Sequence, residues 1–347
     1  VILENPELYA MKDALIEWYR RAKRALPWRE NNDPYRIWVS EIMLQQTRVE
    51  AVKPYYDRFL KELPTVRHLA EAQEDKLLKL WEGLGYYSRV RNMQKAARQI
   101  VNEFDGEFPQ TKEELLSLAG LGEYTAGAIL SIAFGKRIAA VDGNVLRVIS
   151  RLTQNPTPIN DTAYKKRLTE DLSAVYPQEG ALCSQFTQSL FELGALVCKP
   201  KNPSCSACPL QSLCASYACG SQPLYPVMPQ KRAKREENVF VFLLQTPEGF
   251  CIRRREEGVL KGMNEFPSLV CSNGESVDEA LFEWGIYDYE IIREQKFTHI
   301  FTHIKWNITC VWVRTESAPF DSFSLEEIEE RISLPTAFKQ CLKILEK

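Results

Sequence analysis

The sequence predicts an all-α domain followed by a smaller α+β domain. Residues 1 to about 217 carry apolar residues at helical spacing and contain few strand-like runs. From residue 238 onward, β-branched and aromatic runs such as NVFVFLLQ, FCIRRR and KWNITCVWVR indicate strands, and SLEEIEERI and PTAFKQCLKILEK indicate helices near the end. At 347 residues, the chain is long enough for two separate cores.

The segment between these two parts, residues 218–237, has the composition of a linker. It contains three prolines and a basic run in the stretch ACGSQPLYPVMPQKRAKREE. Proline interrupts both helices and strands, so neither domain is expected to continue through this segment.

The charge balance argues against a chain that binds nucleic acid through its overall charge. It has 44 basic and 46 acidic residues, for a net charge of −2, so any nucleic-acid surface must be a local patch. No apolar run approaches the roughly 18 residues of a transmembrane helix. The N-terminal stretch lacks the pattern of a signal peptide. We therefore expect a soluble intracellular protein with no membrane partner.

The stretch SEIMLQQTRVE combines a carboxylate among apolar neighbours with two amides before a helix start. A helix that ends near residue 46 would place Glu41 on the same buried face as Ile37 and Leu44, where an ionised carboxylate is costly. The letters TRVE match a capping box that opens the next helix. Gln45 and Gln46 would then lie in a tight corner between two helices.

The stretch EELLSLAGLGEYTAGAILSIAFG predicts two helices joined by a glycine turn. The amides of Gly120 to Gly122 would lie at the N-terminus of the second helix, which is a ready anion site. A DNA phosphate is a natural occupant, and such a contact positions DNA without reading its sequence. The alternative is an ordinary helical connection with a glycine cap.

Asp142 ends an apolar run and precedes a helix, so its simplest role is an N-cap. A helix N-terminus also favours an ionised aspartate, whereas burial favours the protonated form of Glu41. Two carboxylates whose pKa values are pushed apart are the usual arrangement of a general acid and an anionic stabiliser. The two residues are candidates for these roles if the fold brings them together.

Four of the ten cysteines crowd into residues 198–214, with the spacing C-x6-C-x2-C-x5-C. Four thiolates at this spacing can hold one zinc ion or one [4Fe–4S] cluster. Zinc sites usually use two short C-x2-4-C pairs and only one is present, so the spacing favours the cluster. Cys219 could replace Cys214 as the fourth ligand. Free thiols with one ligand group also fit a reducing compartment better than a disulfide framework does.

These stretches coincide in one known family. LAGLGEYTA and VDGN resemble the helix–hairpin–helix and Gly/Pro…Asp motif of base-excision DNA glycosylases. LPWR, YRIWVSEIMLQQTRV, LWEGLGYYSRVRN, DGNVLRV and FELGALVC closely resemble the MutY-type adenine DNA glycosylases, and the similarity runs through residues 15–215. Residues 238–347 resemble the Nudix-like C-terminal domain of that family more loosely, through GVLKGMNEFP and FTHIFTHIKW.

The resemblance implies an all-α helix–hairpin–helix glycosylase domain with an iron–sulfur loop over residues 1–217, a linker over 218–237 and an α+β Nudix-like lesion-recognition domain over 238–347. It implies a monomeric base-excision repair enzyme that flips adenine out of double-stranded DNA and removes it opposite 8-oxoguanine, and also opposite guanine. In a bacterium, such an enzyme would be cytoplasmic and associated with the nucleoid.

The resemblance also implies the site residues. Glu41 would protonate the leaving adenine and Asp142 would stabilise the cationic sugar, with Tyr124 and Asn144 beside them. The residues implied to line the adenine pocket are Arg24, Leu26, Trp28, Arg29, Gln188 and Glu192. Those implied to contact DNA or the lesion are Gln46, Tyr86, Gly120, Gly122, Phe301, Thr302 and His303. Those implied to hold a [4Fe–4S] cluster are Cys198, Cys205, Cys208 and Cys214.

Several positions distinguish this chain from its relatives. Tyr124 stands where bifunctional relatives such as endonuclease III have a Schiff-base lysine, so the resemblance implies a monofunctional enzyme. Asn264 replaces the tryptophan of the WEFP motif, and Thr302 replaces the serine of the Phe-Ser-His loop but keeps its hydroxyl. The clustered glutamates of Nudix hydrolases are absent, so we expect no pyrophosphatase activity.

Two other functions remain open. The first is a thymine-mismatch or endonuclease III-like glycosylase on the same scaffold. Glu41 argues against both of these, and Tyr124 argues further against the second. The other is a DNA-binding lesion sensor without catalysis, against which the intact pair of Glu41 and Asp142 argues.

Overall fold

The computed structural model describes residues 9–229, 233–271 and 276–346. These residues form two compact units. The first contains the described residues up to Glu71 and those from Arg91 to residue 229, and the second contains Ala72–Val90 and the described residues from 233 onward. No helix in these described ranges is long and apolar enough to cross a membrane.

The first unit is built from helices, as the sequence predicted. In chain order, the α-helices of residues 9–229 are α1 (Met11–Ala22), α2 (Pro34–Leu44), α3 (Val49–Glu62), α4 (Val66–Glu71), α5 (Glu74–Trp81), α6 (Ser88–Glu103), α7 (Lys112–Ser117), α8 (Glu123–Ile132), α9 (Gly143–Thr153), α10 (Thr162–Val175), α11 (Gly180–Leu196) and α12 (Ala215–Ala218). Of these, α5 belongs to the second unit.

Helices α1, α9, α10 and α11 enclose one apolar core of the first unit. Leu15, Val145, Leu168 and Phe186 are fully buried in it, one from each helix. The apolar residues of α9 recur at helical spacing, so one face of this helix packs inward while its N-terminus stays available to the site. Three cysteines of the 198–214 loop pack against the same core, which anchors the loop to α9 and α11.

The described residues of the second unit include a seven-stranded sheet. Its strands are β1 (Arg235–Thr246), β2 (Gly249–Arg254), β3 (Asn264–Glu265), β4 (Ser268–Cys271), β5 (Glu290–Ile300), β6 (Ile304–Arg314) and β7 (Asp321–Phe323). They follow the order β3-β2-β1-β6-β5, with β4 paired to β1 and β7 paired to β2. Strands β1 and β6 are parallel, whereas β5 and β6 form an antiparallel hairpin.

The period-two alternation of β1 gives this sheet two apolar faces. Val239, Val241 and Leu243 contribute to a core shared with α14 (Leu325–Glu330) and α15 (Thr336–Lys339). Phe242 and Leu244 contribute to a second core, shared with α13 (Val277–Glu283). The predicted fold class, an all-α unit followed by an α+β unit with helices on its sheet, is confirmed.

Two local expectations differ from the structure. Strand β1 begins at Arg235, inside the predicted linker, because its ladder with β6 extends back to the pair Arg235 and Ile304. Helix α3 begins at Val49 with Arg48 as N-cap and no side-chain cap hydrogen bond, so TRVE is not a capping box. The hydroxyl of Thr47 instead points back at the preceding turn.

Candidate active site and iron–sulfur loop

Glu41 lies on the buried side of α2, as predicted, with only 5% of its surface exposed. The helix starts where Asp33 accepts hydrogen bonds from backbone N–H groups of the first turn. Burial raises the pKa of Glu41 to about 7, although a hydrogen bond from Tyr124 lowers it. The charge of Asp142 raises it further. A carboxyl with this pKa can hold its proton near neutral pH.

Tyr124 stands in the first turn of α8, and its hydroxyl donates a hydrogen bond to Oε2 of Glu41. Its ring packs against Phe191 with the ring centroids 5.9 Å apart. Burial raises the pKa of Tyr124 well above its ordinary value, so the phenol stays a neutral donor. Helix α8 packs closely here because residue 127 is glycine, where a Cβ would lie 2.5 Å from the carbonyl oxygen of Ala139.

Asp142 is the N-cap of α9, as predicted. Its Oδ1 accepts a hydrogen bond from the N–H of Val145 and its Oδ2 accepts one from Nδ2 of Asn144, both at 2.8 Å. Burial nevertheless raises the pKa of Asp142 above its ordinary value, against these hydrogen bonds and the charge of Arg147. The expectation that the two carboxyl pKa values shift in opposite directions is therefore wrong, because both groups are removed from water.

Arg147 is a site residue that the sequence analysis missed. Its Nη2 donates to Oδ1 of Asn144 at 2.7 Å and to the carbonyl of Gly194 at 2.9 Å, and its Nε donates to the carbonyl of Cys198 at 2.8 Å. The arginine thereby holds the amide that in turn binds Asp142. The available signal was its position one helical turn after Asn144 in DGNVLRV, where side chains share a face.

Glu192, on α11, is fully buried but ion-paired. Arg24 donates to both of its oxygens from Nε and Nη2, each at 2.8 Å, and Arg29 donates from Nη2 at 2.9 Å. Burial raises the pKa of Glu192, but the hydrogen bonds from the two arginines outweigh this effect and lower it to about 2. The carboxylate is therefore ionised and fixes both guanidinium groups.

Gln188 and Trp28 are held by neighbours outside the predicted set. The hydroxyl of Tyr19 donates to Oε1 of Gln188 at 2.9 Å. The buried Trp28 meets Tyr56 edge to face, with ring centroids 5.4 Å apart. Both side chains are consequently oriented before any ligand binds.

One open cavity of about 1590 Å³ in the first unit brings most of the predicted site together. The predicted residues that line it are Arg24, Leu26, Trp28, Arg29, Glu41, Gln46, Tyr124, Asp142, Asn144, Gln188 and Glu192. Leu44 and Phe191 also line it. These two residues were not predicted as site residues, because an apolar residue of a helix resembles any other core residue in the sequence.

The glycine turn lies between α7 and α8, as predicted. Gly120 has a φ of +75°, and a Cβ there would lie 2.7 Å from Cβ of Asn92, so only glycine fits. Gly122 is the N-cap of α8. The N–H groups of this turn therefore lie at a helix N-terminus, the geometry that the anion-site hypothesis requires.

The remaining residues predicted to contact the lesion lie in the second unit. Phe301, Thr302 and His303 form the turn between β5 and β6, and the N–H of Phe301 donates to the carbonyl of Ile304 at 2.8 Å. The exposed hydroxyl of Thr302 forms a hydrogen bond with the hydroxyl of Tyr86. These three residues are therefore in a turn and not within a strand.

The four cysteines of the 198–214 loop line one small cavity and form no disulfide. Within the described residues, no three His, Cys, Asp or Glu side chains come close enough to hold a single metal ion. Each thiolate of a [4Fe–4S] site binds a different iron, so its ligands stand farther apart than those of one zinc ion. Arg151 donates from Nη1 to Sγ of Cys198 at 3.4 Å, which fixes the position of this sulfur. The residues present fit a cluster. Cys219 is exposed, away from the lining of this cavity.

Three family models match the chain. The HhH-GPD superfamily of base excision DNA repair proteins matches residues 39–174, the iron–sulfur binding domain of endonuclease III matches residues 198–214, and the NUDIX domain matches residues 239–344. Among solved structures, a thermostable thymine-DNA glycosylase superposes with a TM-score of 0.55 at 28% identity, covering 62% of this chain and 99% of its own. An endonuclease III–DNA complex, at 23% identity and a TM-score of 0.52, shares the fold. The fold and the site define a base-excision DNA glycosylase of the helix–hairpin–helix superfamily.

The relatives that match along both units are adenine DNA glycosylases. That of Buchnera aphidicola subsp. Baizongia pistaciae is 34% identical, covering 86% of this chain and 84% of its own. The mouse enzyme is 34% identical, covering 90% of this chain and 72% of its own. The chain belongs to the adenine DNA glycosylase family. It is a DNA-binding base-excision repair hydrolase that cleaves the N-glycosyl bond of adenine, and it carries a [4Fe–4S] cluster.

Proposed function

We propose that this enzyme removes adenine paired with 8-oxoguanine, and also adenine paired with guanine, using Glu41 as general acid and Asp142 as anionic stabiliser. One observation carries the catalytic part: Glu41, whose pKa burial raises to about 7, lines the same cavity as Asp142. A neutral acid and a capped carboxylate side by side suit cleavage of a glycosidic bond with a basic leaving group.

Glu41 supplies the proton. Tyr124 donates to Oε2, so the proton of a neutral Glu41 resides on Oε1 and can be given to a ring nitrogen of adenine. The glycosidic electron pair then leaves with the protonated base. Water attacks the sugar, and its proton returns to the solvent or to the carboxylate.

Asp142 stabilises the positive charge that develops on the sugar. Its two hydrogen bonds, from the Val145 amide and from Asn144, fix the carboxylate without neutralising it. Asn144 is itself held by Arg147, so the stabiliser is oriented before the substrate enters. Tyr124 has no amine and forms no Schiff base, so the reaction ends with base removal and leaves the strand intact.

The adenine occupies the part of the cavity lined by Leu26, Trp28 and Gln188. Arg24 and Arg29 are both ion-paired with Glu192, so they shape the pocket from fixed positions. Gln188 offers an amide to the edge of the base, and Trp28 offers an aromatic ring to its face.

The enzyme contacts the DNA duplex at several separate points. The N–H groups of Gly120 and Gly122 bind a backbone phosphate, which positions the duplex without reading its sequence. Gln46, with a φ of +62°, and Tyr86, with a φ of +48°, each occupy a tight turn. By the family resemblance, each of them inserts into the duplex near the 8-oxoguanine. In a bacterium, such an enzyme would be cytoplasmic and associated with the nucleoid.

The partner base is read by Phe301, Thr302 and His303. The turn is supported by Lys234, whose Nζ donates to the carbonyl of Phe301 at 2.7 Å, and by the ring of Trp306, 4.8 Å from the Phe301 ring. The hydroxyl of Thr302 and the imidazole of His303 are exposed at its tip, so both are available to an oxidised purine.

A substitution at His303 tests the lesion assignment in the full-length enzyme. His303→Ala should lower the preference for adenine opposite 8-oxoguanine over adenine opposite guanine by roughly 5- to 150-fold, the effect of losing one or two buried hydrogen bonds. Single-turnover rates and affinities on both duplexes at one salt concentration measure it. His68→Ala, in α4, is the matched control. An unchanged preference in His303→Ala would place lesion recognition outside this turn.

A further inference from the structure

Residues 72–90 lie far along the chain from the rest of the second unit, yet they belong to that unit in the structure. This segment contains α5 and the turn that carries Tyr86. We propose that the second unit sets the position of Tyr86 by holding this segment, so that Lys79 and Ser333 are positioning residues for lesion preference. The inference rests on the proposed reading of the partner base by the second unit.

Helix α5 contacts the rest of the second unit through its backbone and through Lys79. The hydroxyl of Ser333, only 2% exposed, donates to the carbonyl of Leu78 at 3.1 Å. Nζ of Lys79 donates to the carbonyl of Ile332 at 3.0 Å and to that of Ile328 at 3.4 Å. Lys79 thereby places a cation at the C-terminal end of α14, where a positive charge is favoured, and Ser333 satisfies a carbonyl near the C-terminal end of α5.

Three ion pairs support this contact. Nζ of Lys339 lies 3.0 Å from Oε1 of Glu82, whose other oxygen lies 2.8 Å from Nζ of Lys79. Asp75, at the start of α5, pairs with Arg254 of β2. Both ends of α5 are thus tied to the same body as the sheet.

The turn after α5 transmits this position to Tyr86. Nε1 of Trp81 donates to the carbonyl of Gly85 at 3.1 Å, and Nη2 of Arg89 donates to the same carbonyl at 3.1 Å and to that of Leu84 at 2.9 Å. The guanidinium of Arg89 lies between two rings, 5.2 Å from Trp81 and 5.8 Å from Tyr86. The left-handed backbone of Tyr86 is therefore held from several sides.

The hydroxyl of Tyr86 closes the connection by its hydrogen bond with Thr302. Tyr86 and the turn of Phe301, Thr302 and His303 therefore belong to one compact unit. Two groups that meet the same base pair and share one support can keep a fixed mutual distance while the duplex is inspected. A loose α5 would let Tyr86 shift relative to Thr302 and reduce discrimination between the two partner bases.

The experiment uses the full-length, cluster-containing enzyme and the two duplexes defined above. Preference is the ratio of single-turnover rate over dissociation constant on the 8-oxoguanine duplex to that on the guanine duplex. Lys79→Met and Ser333→Ala should each lower it roughly 2- to 10-fold, the effect of one hydrogen bond. The rate with saturating enzyme on the guanine duplex should stay within about twofold, because the acid and the stabiliser are untouched. Lys296→Met, an exposed lysine of β5, is the matched control.

A double-mutant cycle tests the hydroxyl contact separately. Tyr86→Phe and Thr302→Val each remove one hydroxyl and keep the shape. If the contact matters, the double variant should lose less preference than the product of the two single losses. If the two side chains contact the lesion independently, the loss of preference in the double variant will equal the product of the two single losses. That result would overturn the proposed coupling between Tyr86 and Thr302.

The outcomes separate this inference from the function on which it rests. A loss of preference in Lys79→Met and Ser333→Ala, as in His303→Ala, supports it. If Lys79→Met and Ser333→Ala keep full preference while His303→Ala loses it, the positioning role is overturned. The assignment of lesion recognition to the turn that contains His303 then still stands. A uniform fall in rate on both duplexes would also overturn it, because it would show only general structural support. Full preference in all three variants overturns the lesion assignment itself.

Discussion

Glu41 and Glu192 are both buried carboxyls that line one cavity, yet their pKa values lie on opposite sides of the ordinary glutamate value. The pKa of Glu41 is raised to about 7 and that of Glu192 is lowered to about 2. Glu41 receives a hydrogen bond from a phenol, whereas Glu192 receives hydrogen bonds from two guanidinium groups. Burial removes water from both, so the neighbouring charges decide which form is stable.

This difference separates an acid from a structural anion. A carboxyl that is neutral near pH 7 has a proton to give, and one that stays ionised to about pH 2 has none. Glu192 instead keeps Arg24 and Arg29 in place and balances one of their two positive charges. The same residue type therefore serves two purposes in one cavity, as Glu41 on α2 and as Glu192 on α11.

The largest effect is expected from removal of the acid. Glu41→Gln keeps the shape of the side chain but has no titratable proton, so adenine excision should fall by about 10²–10⁴-fold while binding to the duplex is retained. Single-turnover excision and a binding titration measure the two properties, with the exposed Glu107→Gln as control. Activity within threefold of the unsubstituted enzyme would remove Glu41 from the mechanism.

The second effect concerns the ion-paired carboxylate. Glu192→Gln leaves two guanidinium groups without their anion, so the free energy of unfolding should fall by about 3 kcal/mol. Urea denaturation of the full-length protein, followed through the unfolding of the first unit, measures this decrease in free energy. Glu265→Gln is the matched variant in the second unit, where Glu265 is also buried between two arginines. A stable Glu192→Gln protein that has lost only activity would show that Glu192 acts on the substrate and not through the arginines.

The third effect is an opposite pH dependence of stability. The folded pKa of Glu41 is raised, so its stabilising contribution is complete below about pH 4 and is lost as the pH rises through about 7. The folded pKa of Glu192 is lowered, so its contribution is complete above about pH 5 and is lost as the pH falls towards 2. Each amounts to roughly 3 kcal/mol.

Denaturation at several pH values checks this contrast. Relative to the unsubstituted protein, Glu41→Gln should gain stability between pH 5 and pH 8, and the deficit of Glu192→Gln should shrink between pH 5 and pH 3. Parallel curves for the two variants would break the comparison, because they would show that both carboxyls have the same charge state.

The smallest effect is expected from the phenol. The hydrogen bond from Tyr124 lowers the pKa of Glu41, so Tyr124→Phe should move the basic limb of the pH–rate profile to higher pH. The rate of the unsubstituted enzyme should fall as the pH rises through about 7, since the acid form is then lost. Tyr164→Phe, a buried tyrosine outside the cavity, is the control. A shift to lower pH in Tyr124→Phe would mean that the phenol stabilises the protonated form.

Much of this site could be predicted from local sequence. The burial of Glu41 follows from its apolar neighbours in α2, and the cap formed by Asp142 follows from a turn residue before an apolar helix. The four-cysteine spacing and the glycine turn are likewise local patterns. The adenine-pocket residues came through the family resemblance, and the structure places them around one cavity.

Other features could not be deduced from local sequence alone. Arg147 joins Asn144 to the cysteine loop across two helices, and its letter in DGNVLRV gave no hint of the carbonyls it would meet. The raised pKa of Asp142 was missed because an N-cap position by itself suggests the opposite shift.

The sequence alone determined the class of each unit, the helix starts at capping and glycine residues, and the set of side chains able to transfer a proton or hold a cluster. These depend on periodicity and on contacts within a few residues. Only the tertiary structure decided which glutamate keeps a proton and which loses it, and that Ala72–Val90 belongs with a unit that begins far along the chain. Charge interactions and docking depend on distances between elements remote in sequence, and those distances exist only once the chain has folded.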